Sequence, residues 1–235
     1  MRASLDHRLK PGAARRTWLL YAAAALLCGG CALTSKSEPI APRYFSPERP
    51  PDAARGGAKP AQTPYELRLG RVFGSSHLDE RLVFRDSEYQ LGYYEERRWT
   101  EEPAEYLRRC LARVLFEDRG LRHLVGGLGP SLEVELTGFE EIRSPKRLAR
   151  VQMTVRLQDA RTVRWEETMT VDQPITDVSG DPAGTMVAAI SIALGAAVDR
   201  VADRVVSDLA TIPPPAPSSS ATTPPPRRSR DTDPH

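Results

Sequence analysis

Between Leu132 and Val171 the chain alternates apolar and polar residues strictly enough to restrict it to a half-buried sheet. Leu132, Val134 and Leu136 oppose Glu133, Glu135 and Thr137. Val151, Met153, Val155 and Leu157 oppose Gln152, Thr154, Arg156 and Gln158. Successive strand side chains point to opposite faces, so one face is buried and the other wetted, as in an antiparallel sheet. Gln158-Asp159-Ala160-Arg161 is short enough for a hairpin. The partner strand places Val163, Trp165, Met169 and Val171 on one face, with Glu167 as an exception.

Three shorter strands precede this group. They are the alternating Tyr65, Leu67 and Leu69, then Arg81 to Arg85, then Tyr89 to Trp99. A helix separates the two groups. Thr100 is placed to cap it, Glu101 and Glu102 suit its positive end, and Pro103 is tolerated in its first turn. Leu107, Cys110, Leu111, Val114 and Leu115 give it one apolar face. A long helix from Asp181-Pro182 to Leu209 closes the fold, with a stripe of Val187, Ile190, Leu194, Val198, Val201, Val205 and Leu209. The expectation is an α+β domain: an antiparallel sheet, or sheets, with two helices on one face, in the order βββα-βββα.

The ends of the chain differ from this middle. Arg2, Arg8, Lys10, Arg15 and Arg16 precede an uncharged run from Trp18 to Leu27, and Cys28-Gly29-Gly30-Cys31 follows. A charged start, an apolar middle and small residues at a cut site are the parts of a secretory signal. The apolar run is about 10 residues, too short to span a bilayer, which takes roughly 20. Two small residues before Cys31 resemble the lipobox of bacterial lipoproteins, although Cys28 stands where that pattern usually has Leu. The resemblance implies a lipid thioether on Cys31, cleavage before it and acylation of the new amino end. Pro39, Pro42, Pro47, Pro50, Pro51, Pro60 and Pro64 make the next stretch a semi-extended tether. After Ile212 the Pro, Ser and Thr tail, ending in Arg227-Arg228-Ser229-Arg230, cannot build a core. The expected organisation is a signal over residues 1–30, a lipidated tether over 31–64, one domain over 65–212 and a disordered tail over 213–235.

This division changes what the charge means. The first 30 residues carry five basic side chains against Asp6, so their removal turns a formal net charge of +2 into −2. A balanced, slightly acidic surface argues against nucleic acid as the partner. With Cys28 removed and Cys31 acylated, only Cys110 of the three cysteines remains. Neither an intramolecular disulfide nor a cysteine zinc site can then form in the domain.

Catalytic signals are weak. Gly126-Gly127-Leu128-Gly129-Pro130 lacks the Lys-Ser/Thr ending of a phosphate loop and reads as a turn before a strand. His77 and His123 have no second His or Cys at ligand spacing. The chain is expected to hold no catalytic residue, metal or cofactor. An enzyme would need groups such as Glu167, Arg85 and His123 to converge.

The domain resembles the ABC-type transport auxiliary lipoproteins, the paraquat-inducible protein C-like family. The similar segments are Cys31-Ala32-Leu33, Tyr44-Phe45-Ser46-Pro47, Tyr65 to Leu69, and above all Leu78 to Arg85 followed by Tyr93, Tyr94, Trp99 and Pro103. The resemblance implies a non-catalytic, lipid-anchored receiver or scaffold in MCE-associated lipid transport. Its implied partners are an MCE-domain protein and the ABC permease and ATPase of the same system. Ala32 rather than Asp after the lipidated cysteine implies the periplasmic side of the outer membrane, by the sorting rule of diderm bacteria. The alternative is an envelope assembly or secretion scaffold that handles no lipid.

The final helix adds an expectation of its own. Met186 to Val198 has no charged side chain on any face. One sheet face covers one stripe, so a second surface must cover the rest. That surface is expected to be a second copy of the chain, meeting Met186, Ala189 and Ala193, or else the chain's own tether.

Overall fold

The computed structural model describes residues 41–47, 62–160, 162–176 and 182–211. The chain divides into two units, Met1–Ala41 and Pro42–His235, and every element below lies in the second. The strands are β1 (Arg43–Phe45), β2 (Glu66–Gly74), β3 (Arg81–Arg85), β4 (Leu91–Trp99), β5 (Arg122–His123), β6 (Ser131–Ile142), β7 (Leu148–Gln158) and β8 (Val163–Pro174). The helices are α1 (Pro103–Ala112), which runs on into a π-helical turn over Arg113–Asp118, and α2 (Pro182–Leu209).

The α+β class expected from the alternation is the one observed, with the long strands β6, β7 and β8 antiparallel to one another. The sheet as a whole is mixed. β6 is its trunk: β7 lines one edge, while β2 and β3 share the other, both parallel to β6. The short strands β1 and β5 extend these branches, parallel to β4 and β2. β1 contains Tyr44 and Phe45, so this part of the expected tether docks on the sheet edge.

Two one-residue slips decide which side chains enter the core. Against β7, β6 carries an extra residue at Thr137. Such a bulge inverts the in-out parity beyond it. Leu132, Val134 and Leu136 are buried before it; after it Phe139 and Glu141 pair with Val151 and Ala149 of the same core face. A second slip falls between Val163 and Trp165. Trp165, Met169 and Val171 stay in register with the buried residues Leu157, Met153 and Val151, but Val163 pairs with outward Gln158 and is half exposed. The expected single face for all four residues is corrected accordingly.

α1 begins two residues later than a Thr100 cap would require. Its N-cap is Glu102, in extended backbone and without a side-chain cap bond. The residue before a proline is pushed out of the helical region, so Pro103 sets the start. The Thr100 hydroxyl instead meets the Tyr106 phenol at 2.6 Å. Beyond α1 the π-helical turn keeps Leu111, Val114 and Leu115 all fully buried, and Gly120, at φ 68°, ends the segment.

α2 packs on β7, β8 and α1. By length and composition it could cross a membrane, yet 67% of its most apolar window is buried inside the protein, which is how a core helix behaves. The whole expected stripe from Val187 to Leu209 is buried. So are Met186, Ala189 and Ala193, at 1%, 5% and 0% exposure. Contact with a second copy through these three side chains is therefore corrected: the chain itself covers them. Sheet and α1 together wrap a wider arc than one sheet face could, and from Met186 to Val198 only Ala188, Ile192 and Ala196 remain exposed.

Candidate functional site

Beyond the β6 bulge, two consecutive acids are buried at the end of the sheet. Glu140 is 4% exposed and Glu141 1%. They sit on opposite faces and each finds its own cations. Arg85, which ends β3 beside them, grips Glu140 with both arms of its guanidinium, Nε to Oε1 at 3.0 Å and Nη2 to Oε2 at 3.2 Å. Glu141 accepts from Arg147 at 2.7 Å and lies 3.8 Å from Arg143. The Tyr94 phenol donates to the same carboxylate. Burial pushes the Tyr94 phenol above its usual pKa, so it remains a donor. Arg143 caps the cluster, its guanidinium 3.4 Å from the centre of the Phe84 ring.

Two of the residues that carry the resemblance, Arg85 and Tyr94, lie in this cluster. Arg85 and Tyr94 hold the two buried acids. Tyr93 lies under the Arg81 guanidinium, 3.8 Å from the ring centre. Trp99 is a core ring and Pro103 starts α1. Both carboxylates are bound by cations, so the cluster orders the sheet end and supplies no free acid or base. Arg85→Ala would leave Glu140 buried without its fork, at an expected loss of about 2–4 kcal/mol. Chemical denaturation should show it, whereas Arg85→Met combined with Glu140→Leu should be nearly neutral. An unchanged midpoint for the single variant would contradict this role.

The opposite end of the trunk forms an open cleft of ≈ 540 Å³ between the β5–β6 loop and the β7–β8 hairpin. Arg68, Leu128, Glu133, Gln158, Asp159 and Val163 are among its lining. Several of its polar groups are engaged. Gln158 donates to Glu133 at 3.2 Å, Arg164 to Asp159 at 3.4 Å, and Arg68 to the Gly127 carbonyl. This is a surface that can bind. Gly126 to Pro130 is the loop before β6, as expected.

Cys31 lies outside the described residues, as do the expected signal, most of the expected tether and the expected tail. Glu167, Arg85 and His123 do not converge. Glu167 is exposed on edge strand β8, Arg85 is committed to Glu140, and His123 stacks on Phe116 at edge strand β5, 4.5 Å between ring centres. Among the described residues there is no metal-ligating cluster. Glu140 and Glu141 were not singled out from the sequence. One available signal was the shift of apolar parity from Leu136 to Phe139.

A family model described as the ABC-type transport auxiliary lipoprotein component matches residues 49–204. Among solved structures, a Xanthomonas campestris protein of the DUF330 family is similar at a TM-score of 0.59 and 17% identity, over 72% of this chain and 98% of that one. An uncharacterized protein is similar at a TM-score of 0.54 and 15% identity, over 70% of this chain and 99% of that one. These two likenesses are of fold alone. No curated protein matches the chain.

Proposed function

The chain belongs to the ABC-type transport auxiliary lipoprotein component family, and on that premise we propose that it works by binding: a lipid-anchored periplasmic receiver or scaffold for an MCE-associated lipid transport system. The observation that carries this is the family match, which runs from the tether almost to the end of α2. The proposed anchor is Cys31 and the proposed location is the periplasmic side of the outer membrane. The proposed partners are the system's MCE-domain protein and its ABC permease and ATPase. In this reading the domain over residues 65–212 supplies surfaces rather than chemistry.

The test is affinity purification from membranes. The MCE-domain protein and the permease should co-elute with the parent chain. Cys31→Ser should leave the protein uncleaved or soluble and should reduce the amount of partner that co-elutes with it. A variant processed and membrane-bound like the parent would remove the lipoprotein anchor. Co-elution of secretion subunits with no MCE-domain protein would favour the scaffold that handles no lipid.

A further inference from the structure

The loop from Leu124 to Pro130 holds an apolar tip in water that neither the core nor the Glu140–Glu141 cluster uses. No residue from Leu124 to Leu132 is charged. Val125 is 86% exposed and Leu128 88%, so each side chain projects with solvent on nearly every side. The loop is nevertheless held in shape. Gly127 takes a φ of 84°, open to glycine at no steric cost, and its carbonyl accepts from the Arg68 guanidinium. The Arg68 amide donates to the Pro130 carbonyl at 2.9 Å. Gly129 sits against Leu124, whose side chain would lie 2.5 Å from any added Cβ. Half-exposed Val163, turned outward by the slip in β8, lines the same cleft as Leu128.

A single exposed leucine needs no explanation. A braced tip with two apolar side chains and a third at its margin is an exposed patch of the kind that marks a contact. Its shape selects the occupant. The side chains stand out from the surface, and a tip that projects suits a fluid apolar layer. Two ion pairs flank it, Arg122 with Glu66 at 2.8 Å and Arg164 with Asp208 at 2.6 Å. We propose that Val125 and Leu128, with Val163 at their margin, insert into the apolar layer of a lipid bilayer and turn this end of the sheet toward the membrane. The inference rests on the lipoprotein reading for proximity. The stretch from Cys31 to β1 can reach at most about 3.6 Å per residue, which keeps the bilayer at a high effective concentration.

The experiment uses residues 32–235 made without lipid, which retain every described element and the whole buried core. Cosedimentation is measured with vesicles of phosphatidylethanolamine plus phosphatidylglycerol, and of phosphatidylcholine alone. The parent should bind both with little dependence on salt. Val125→Asp combined with Leu128→Asp should weaken binding by about tenfold for each side chain, with an unchanged melting midpoint because both sites are exposed. A parent that does not bind vesicles overturns the proposal, and so does a double variant that binds like the parent. Binding confined to anionic vesicles and lost at raised salt also overturns it, because charge and not the tip would then be responsible. No lipid is attached in this preparation, so failure here leaves acylation of Cys31 standing. Failure of the Cys31→Ser test likewise leaves this measurement standing.

Discussion

Ala193→Glu should leave no folded protein. Ala193 is fully buried on α2 among Ile190, Leu194 and Ala197, with the sheet on one side and α1 on another. A glutamate there must lose its water. The effective penalty for an unpaired buried ion is several kcal/mol, and the added volume costs about 1–3 kcal/mol more. The sum reaches the total stability of an ordinary domain, about 5–15 kcal/mol. Circular dichroism and soluble yield measure the outcome. Ala188→Glu, on the exposed side of the same helix, serves as a control and should fold. A folded Ala193→Glu variant of smaller mass than the parent would contradict the burial and return the residue to a subunit interface.

Trp99→Ala should lower stability by about 3–5 kcal/mol, the usual range for deleting a buried large aromatic ring. For a chain of this size that corresponds to a fall in melting temperature of roughly 6–20 °C. The ring is 1% exposed and packs edge-on against Phe139 at 5.2 Å and Tyr106 at 6.3 Å between centres. It therefore joins the end of β4 to the trunk strand and to α1. Its backbone amide also donates to the Glu80 carbonyl at 2.6 Å, which ties the start of β3 to the same point. Trp99→Phe should cost much less, because the indole nitrogen has no hydrogen-bond partner to lose. Scanning calorimetry compares the three proteins. A Trp99→Ala variant as stable as the parent, defective only in partner binding, would make Trp99 a contact residue.

Much of the fold was legible in local pattern. Period-two alternation located β7 and most of β6 and β8, and the three-to-four spacing of Val187 to Leu209 located α2. Arg85, Tyr94, Trp99 and Pro103 were also singled out in advance, as residues of a family pattern. Their contacts were not, because Glu140 and Glu141 lie about fifty residues along the chain from their Arg85 and Tyr94 partners. Acidic side chains are mostly exposed, so two adjacent glutamates do not by themselves point to burial. The Thr137 bulge overrode that rule by turning Glu141 inward. The braced loop gave only its glycines in advance, and the exposure of Val125 and Leu128 depends on what fails to pack over them.

Element type, the buried stripe of each long element and the low charge of the first half of α2 were determined by the sequence alone, because each is a property of neighbours within a few residues. Strand order, the parallel branching of β2 and β3 from β6, and the two parity slips were decided only in the tertiary structure. A register slip has no energy of its own until a partner strand opposes it. The cover of Met186, Ala189 and Ala193 was decided at the same level. Local sequence shows that an apolar face must be buried, but whether the same chain or another copy buries it depends on how wide an arc sheet and helix wrap around it.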